Sequence, residues 1–253
     1  WDRTATITTG LKKWYFRDLA SRIGNFERKW LNSYDLLVPI TRRDGEMLNN
    51  LGNTKPLHVS PTGIDPETIE TAPVPTEFPS LFHIGSLEWT PNQEGLIWFL
   101  KNCWGPIIEM HPGLQFYIAG RHAPKWLTDK LKQPGITFLG EVEDAISFMK
   151  SKAVMIVPLL SGSGMRIKII EGMAVGRAIV STAIGAEGLQ VTNLENILIA
   201  DGAADFIQSI DSLIKDRSLY NHIGENAAFF IRENFDNLAI AKKLAAFYQS
   251  NLT

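Results

Sequence analysis

One stretch of the chain brings together residue types that can bind a phosphate group and a sugar. The loop 161–164 reads Ser-Gly-Ser-Gly, and Arg166, Lys168 and Glu171 follow it closely. Glycines allow a tight turn, and the free amides at the start of a helix attract phosphate. The planar guanidinium of Arg166 suits phosphate oxygens, and an ionised Glu171 accepts hydrogen bonds from vicinal hydroxyls of a ribose or sugar. The spacing predicts an anion site with a hydroxyl-binding carboxylate beside it.

The helix predicted after this loop sorts its residues by face. Helical spacing gives two stripes, one toward a core and one toward the loop: Ile167, Ile170 and Ala174 on the first, and Gly164, Lys168, Glu171 and Val175 on the second. Lys168 and Glu171 are therefore expected to project together, and Gly176 is expected to end the helix. The local residues leave a plainer interpretation open, in which Lys168 and Glu171 form a surface ion pair and the loop is a flexible turn.

The surrounding pattern alternates strands and helices, as in a doubly wound parallel sheet. Strands are predicted at 81–85, 114–120, 136–140, 154–160, 177–182 and 196–201. Helices are predicted at 92–110, 124–132 and 142–153, and three more at 203–216, 219–233 and 237–250. Ligands of such sheets bind beyond the carboxyl ends of the strands. One rim is therefore expected to hold Gly85, Ser86, Gly140, Glu141, Val142 and the loop 161–166.

The first part of the chain has a different pattern. A helix is predicted at 11–30, followed by a strand at 34–40, a helix at 42–51 and a strand at 57–60. Residues 66–80 hold four prolines and are typical of a stiff linker. Residues 1–64 amount to less than half of a Rossmann-like domain, since a whole one takes roughly 150 residues. We therefore expect a truncated domain whose open sheet edge favours self-association through residues 1–64, or disorder within them.

Five segments in a fixed order carry a resemblance to a known family. They are 83–92 (His-Ile-Gly-Ser-Leu-Glu-Trp-Thr-Pro-Asn), 115–120 (Gln-Phe-Tyr-Ile-Ala-Gly), 136–142 (Ile-Thr-Phe-Leu-Gly-Glu-Val), 162–176, and 181–189 (Ser-Thr-Ala-Ile-Gly-Ala-Glu-Gly-Leu). Through their order and spacing the chain resembles the donor-binding half of GT-B glycosyltransferases, specifically the retaining family four, also called the glycosyltransferase group 1 family. The resemblance implies an α/β fold of GT-B type with a doubly wound parallel Rossmann-like sheet and part of a second Rossmann-like domain. Residues 1–64 would belong to the acceptor-side domain, 65–80 to a linker, 81–236 to the donor-binding domain, and 237–253 to a C-terminal helix that packs back on the first domain.

The resemblance also implies roles for individual residues. Arg166 and Lys168 are expected to hold the diphosphate of a nucleotide sugar and Glu171 its ribose, and these three are the candidate catalytic residues. Further donor-binding contacts are expected from Gly85, Ser86, Gly140, Glu141, Val142, Gly162, Ser163, Gly164 and Met165, with residues 140–142 framing the base.

Two departures from the family pattern matter. The glutamate that touches the donor sugar in most members falls at Ser163 here. The family's usual phosphate-binding Arg and Lys fall near Ser86 and Asn92, and neither of these is basic. The positive charge is accordingly predicted to have moved into the glycine loop, to Arg166 and Lys168.

Composition limits the remaining possibilities. The chain has 253 residues, of which 45% are hydrophobic and 21% charged, and its formal charge of −2 argues against nucleic acid as a main partner. The five histidines are scattered, so neither a metal site nor a tightly bound cofactor is expected, and Cys103 is predicted to be a core thiol. No apolar run reaches the roughly 18 residues of a membrane span. A cytoplasmic protein is expected, and peripheral contact with the inner face of the membrane stays open.

The resemblance, with which the composition agrees, implies a retaining glycosyltransferase. It would move a sugar from a nucleoside-diphosphate sugar to a carbohydrate or lipid-linked acceptor, in bacterial polysaccharide or glycoconjugate synthesis. Arg166, Lys168 and the helix-end amides would stabilise the negative charge that grows on the leaving diphosphate. Two alternatives remain: a non-catalytic nucleotide-sugar-binding or interaction module, inactive without its acceptor domain, and a GT-B sugar-nucleotide epimerase, to which Ser163 gives no support.

Overall fold

The computed structural model describes residues 5–6, 8–65, 69, 74–162 and 164–251. The chain divides into two compact units. The first consists of Trp1–Pro61 and Lys242–Thr253, and the second of Thr62–Ala241. All the candidate site residues belong to the second unit.

Two helices and a short parallel ladder make up most of the first unit. Helix α1 (Gly10–Trp30) and helix α2 (Arg42–Asn50) confirm the helices predicted at 11–30 and 42–51. Thr41 caps α2, because its hydroxyl oxygen accepts a 3.0 Å hydrogen bond from the Asp44 amide. The strands predicted at 34–40 and 57–60 are reduced to one parallel bridge between Leu37 and Leu57.

Helix α1 presents apolar side chains to solvent. None of its residues is buried, and Leu11, Trp14 and Phe26 are 87%, 69% and 65% exposed. The predicted self-association through residues 1–64 stays a prediction. None of the helices within the described ranges is both long and apolar enough to cross a bilayer.

A six-stranded parallel sheet forms the centre of the second unit. Its strands are β1 (Glu77–Ile84), β2 (Gln115–Ala119), β3 (Ile136–Gly140), β4 (Lys152–Val157), β5 (Ala178–Ser181) and β6 (Leu198–Ile199). Their order across the sheet is β3-β2-β1-β4-β5-β6, and every neighbouring pair is parallel. The predicted doubly wound parallel sheet is confirmed.

Helices connect and flank these strands. Helix α3 (Thr90–Phe99) continues through a π-helical turn at Leu100–Trp104 into α4 (Gly105–Met110). The others are α5 (Lys125–Lys130), α6 (Ala145–Ser151), α7 (Ile167–Ala174), α8 (Ala203–Lys215) and α9 (Arg217–Asn234). Helix α10 (Asn237–Asn251) begins in the second unit, and from Lys242 onward it belongs to the first. Each helix predicted in this part of the chain is confirmed, with ends that differ by a few residues.

Strand β1 begins at Glu77, well before the start predicted at residue 81. Pro79 made a strand improbable here, because a proline cannot donate to a ladder. The register between β1 and β4 shifts between Glu77 and Leu81, and the Ser80 hydroxyl accepts a 3.0 Å hydrogen bond from the Ala153 amide. A side chain therefore replaces a backbone acceptor at the irregularity, and the strand continues past the proline.

Apolar side chains cover both faces of the sheet. Leu81, Phe116 and Ile156 belong to one buried cluster, which includes residues of α3, α4 and α8. Phe82 and Met155, their neighbours in sequence, belong to a second cluster, which includes residues of α6 and α7. Successive residues of a strand point to opposite faces, so burial on both sides explains the continuous apolar runs of the strands.

Candidate functional site

The order of the strands locates a crevice in the second unit. The sequence order of the sheet reverses between β1 and β4, which are neighbours. In open α/β sheets, ligands bind outside the carboxyl ends of the strands at such a reversal. The loop that follows β1 begins at Gly85, and the loop that follows β4 leads to helix α7. The residues of these two loops are therefore the ones a ligand would meet.

The glycine loop ends at the start of α7. Gly162 and Gly164 have φ angles of 125° and 84°, a region that side chains with a Cβ rarely adopt. Arg166 is the N-cap residue and adopts an extended conformation, so the helix begins at Ile167. The first amides of a helix have no carbonyl acceptor within it and point toward the crevice side of the sheet. Ser163 lies outside the described residues.

Arg166 is held inside its own loop. Its side chain is only 7% exposed, and Nη1 donates a 2.8 Å hydrogen bond to the carbonyl of Gly164. The guanidinium carbon lies 5.3 Å from the centre of the Trp89 ring, which comes from the loop after β1. A Cβ at Gly162 would lie 2.6 Å from Nη2 of Arg166, so the glycine leaves the space that the guanidinium occupies. The cation thereby links the loops after β1 and β4.

Lys168 reaches across the crevice to the other loop. Its Nζ donates a 3.0 Å hydrogen bond to Oδ1 of Asn92 in α3. Asn92 is 4% exposed, and its Nδ2 donates a 2.8 Å hydrogen bond to the carbonyl of Ser86. The asparagine that replaces the expected basic residue therefore fixes the position of a lysine from another element. Apart from the missing charge at Asn92, no sequence pattern indicated this pairing.

The surroundings of Lys168 disfavour its charged form. Burial, and secondarily the positive charge of Arg166, lower the pKa of Lys168 to about 7. The buried His83 lies close enough for the charge of Lys168 to act on it. Burial first, and then that charge, hold the pKa of His83 well below its usual range. Nδ1 of His83 lies 3.1 Å from the Ile156 carbonyl and so must carry the proton, while Nε2 has no hydrogen-bond partner among the described residues.

Glu171 does not pair with Lys168. The ion pair that the plainer interpretation required is not formed, and the half-buried carboxylate makes no hydrogen bond with another described residue. Burial raises the pKa of Glu171. A carboxylate without a partner one turn after Lys168 is available to accept hydrogen bonds from a ligand.

The predicted core face of α7 was partly wrong. Ile170 is buried as expected, but Ile167 is 41% exposed at the first position of the helix. The helix packs on the sheet through Ile169, Ile170 and Met173 instead. Gly176 does end the helix, with a φ angle of 72°.

The remaining predicted residues divide into two groups. Gly85 and Ser86 lie against Asn92, as described for the crevice. Strand β3 ends at Gly140, and Glu141 and Val142 follow it. Strand β2 lies between β3 and β1. Val142 and Met165 pack against the apolar cluster that includes α6 and α7, and Glu141 is exposed. No group of three histidine, cysteine, aspartate or glutamate side chains that could hold a metal ion occurs among the described residues.

Gly85 is predicted to keep the crevice open. A Cβ at this position would lie 2.9 Å from Nδ2 of Asn92 and 3.2 Å from Nζ of Lys168. Both atoms end flexible side chains and can be displaced, but the φ angle of 154° at Gly85 is one that residues with a Cβ rarely adopt, so we expect Gly85→Ala to lower stability as well. Nucleotide binding should weaken about tenfold or more, because a charged contact is misplaced. Calorimetric titration and thermal melting of Gly85→Ala would separate the two effects. Unchanged affinity in a folded variant would contradict the prediction.

The chain matches the protein family described as "Glycosyl transferases group 1" over residues 78–216, more than half of its length. An "Uncharacterized 44.6 kDa protein in cps region" of Klebsiella pneumoniae is 28% identical over 167 residues, which are 62% of this chain and 43% of that protein. An uncharacterized glycosyltransferase of Methanocaldococcus jannaschii is 34% identical over 106 residues, which are 40% of this chain and 27% of that protein. The matched region thus spans less than half the length of each relative.

A solved structure shares the fold. Anabaena HepE in complex with UDP aligns with a TM-score of 0.74 and 18% identity over 90% of this chain and 67% of that chain. The same protein has also been solved with UDP-glucose. At this identity the likeness shows the fold alone, and it confirms the predicted α/β fold of GT-B type.

Proposed function

The chain belongs to the glycosyl transferases group 1 family, and from this premise we propose that it takes part in moving a sugar from a nucleoside-diphosphate sugar to a carbohydrate or lipid-linked acceptor. We further propose that the transfer retains the anomeric configuration and serves polysaccharide or glycoconjugate synthesis. The observation that carries the proposal is the ammonium group of Lys168, held by Asn92 at the strand-order reversal.

The relatives support the choice of ligand and setting. HepE, which has the same fold, has been crystallised with UDP and with UDP-glucose. The Klebsiella relative is described as lying in a cps region. Because the matched region covers less than half of each curated relative, the acceptor and the complete activity are proposals for the whole protein.

The chemical task of the crevice is to stabilise a leaving group. When the bond between the sugar and the diphosphate breaks, negative charge grows on the phosphate oxygens. Lys168 and the first amides of α7 are placed to meet this charge, and a fixed cation in a half-buried site acts more strongly than one in water. Arg166 adds positive potential from within the loop, and it holds the loop against Trp89. Glu171 accepts the ribose hydroxyls.

Calorimetric titration with UDP, GDP and ADP tests the proposal. We expect one of the three to bind with a 1:1 stoichiometry and to name the base. Arg121→Ala is a matched control, since Arg121 is an exposed cation after β2 on the same rim. Absence of binding by a folded chain would overturn the proposed donor site. Binding without transfer in the complete protein would favour the non-catalytic module.

Glu171 is predicted to recognise the ribose. Its carboxylate makes no hydrogen bond with another described residue and is half-buried. Removal of a ribose hydroxyl from the ligand should therefore remove a charge-assisted hydrogen bond and lower the affinity about tenfold. We therefore expect the ribonucleotide to bind about tenfold more tightly than its 2′-deoxy analogue, and Glu171→Gln to reduce that preference. The measurement is the ratio of the two dissociation constants in each protein. An equal preference in both proteins would assign the ribose to another residue.

A further inference from the structure

A cavity lies at the amino ends of the strands, away from the crevice at their carboxyl ends. It has a volume of about 450 Å³. Thr76, Lys150 and Arg177 line it, and each lies just before a strand, β1, β4 or β5. The cavity therefore opens at the amino ends of three adjacent strands, whereas the crevice lies beyond their carboxyl ends. Its other wall is formed by helix α9.

Arg177 is fixed in the wall of this cavity. Its Nε donates to the Val175 carbonyl at 3.2 Å. Its Nη1 donates to Oγ1 of Thr76 at 2.9 Å and to the Lys152 carbonyl at 3.0 Å. These bonds use Nε and Nη1, and Nη2 is left for the cavity that the residue lines. The guanidinium is thus pre-positioned by the backbone and needs no rearrangement to meet a ligand.

A second guanidinium faces the same space. The guanidinium carbon of Arg217 lies 3.9 Å from the centre of the Phe78 ring and 4.9 Å from that of Tyr220, so the aromatic rings hold it in place. Neither Arg177 nor Arg217 forms an ion pair with a described carboxylate. Burial, and to a lesser degree the charge of Arg217, lower the pKa of Arg177. Two like charges therefore face one cavity, and neither is paired with a carboxylate of the described residues.

The rest of the lining completes an anion-binding set. The side chains of Tyr220 and Asn221 offer further hydrogen-bond donors. Arg217 is also the first residue of α9, where the helix dipole adds positive potential. Among the described residues that line the cavity, Glu225 is the only carboxylate. Pairs of guanidinium groups suit phosphate oxygens through their planar forks.

We propose that this cavity binds the phosphate group of a small soluble ligand, at a site separate from the nucleotide-sugar crevice. The volume lies within the range of small-molecule pockets and exceeds what a lone phosphate fills, so the ligand is a phosphorylated compound larger than the ion. A semi-enclosed cavity between strand ends and a helix suits a soluble molecule better than a lipid surface.

Titration of the chain with inorganic pyrophosphate tests the proposal. Lys168→Ala serves as the background, because it removes the cation of the crevice. We expect this variant to bind pyrophosphate, and the addition of Arg217→Gln to weaken binding about tenfold or more. Arg232→Gln is the matched control, since Arg232 is exposed near the end of the same helix and does not line the cavity. Arg217 is itself exposed, so its replacement should leave the fold intact.

Two further measurements test the proposal, one of which should show tighter binding and the other no binding. Glu225→Gln removes the negative charge from the lining and should tighten pyrophosphate binding. Phosphatidylglycerol vesicles should not bind through Arg217. If the chain binds such vesicles but not pyrophosphate, and Arg217→Gln abolishes vesicle binding, the ligand is a lipid headgroup and the proposal of a soluble ligand is overturned. No binding in the Lys168→Ala background, or equal binding after Arg217→Gln and Arg232→Gln, would overturn the site.

Discussion

Replacement of Lys168 by alanine is expected to weaken nucleoside-diphosphate binding by about 10- to 100-fold, the usual worth of a hydrogen bond to a charged group. Lys168 is the cation that reaches the strand-order reversal, where Asn92 holds its ammonium at 3.0 Å. In the complete protein, loss of a group aimed at the developing charge should lower the transfer rate further, by about 10² to 10³. Calorimetry measures the first effect, and steady-state kinetics with a saturating donor measures the second.

A variant that relocates the positive charge distinguishes the loss of the cation from a general disturbance of the crevice. Asn92 lies where a basic residue is expected, and it now contacts Nζ of Lys168. In the Lys168→Ala background, Asn92→Lys should bring an ammonium back to the same part of the crevice and recover part of the affinity. Arg121→Ala, on the same rim, should bind like the unchanged chain. If Lys168→Ala binds normally while it stays folded, another group must carry the diphosphate.

The sequence predicted the sheet and its helices well, because the responsible patterns are local. The apolar run before Pro158 identified β4, and the glycines of the loop and Gly176 identified both ends of α7. The errors have local causes too. Strand β1 passes Pro79 at a register shift, where the Ser80 hydroxyl accepts a hydrogen bond from the Ala153 amide, and such a side-chain bond leaves no periodic trace.

The site was predictable in its location and less so in its contacts. The two glycines and the charged residues after them pointed to a loop that follows β4, next to the strand-order reversal. The contact of Lys168 with Asn92 joins residues 76 positions apart, and the contact of Arg166 with Trp89 joins two different loops. Long, flexible side chains can reach several neighbours, so their partners follow from the packing of α3 and α7. For the same reason, the alternative interpretation, a surface ion pair of Lys168 with Glu171, considered one helix alone, and Nζ of Lys168 contacts Oδ1 of Asn92 instead.

Nucleotide binding is expected to weaken steeply as the pH rises above 7. Burial and the charge of Arg166 lower the pKa of Lys168 to about 7, so the free chain loses this ammonium in the neutral range, well before an ordinary lysine would. The diphosphate binds the protonated form about 10- to 100-fold more tightly, so the observed dissociation constant should rise above the pKa and level off once Lys168 is neutral. Between pH 7 and pH 9 the expected change is about 5- to 25-fold. Phosphate itself is already ionised there, since its second pKa is about 6.

Proton uptake gives this prediction a direct measurement. Below pH 6 Lys168 is already charged and binding should take up almost no proton at this group, whereas at pH 8 it should take up roughly half a proton or more, because the ligand raises the pKa of the lysine. Calorimetry in two buffers with different ionisation enthalpies counts that proton. Lys168→Arg is the matched control, since a guanidinium stays charged across this range and should remove both the uptake and the steep pH dependence. His83 does not interfere, because its pKa lies well below the usual range and the ring stays neutral throughout. An affinity that stays flat from pH 7 to pH 9 would show that the ammonium of Lys168 is not what holds the diphosphate.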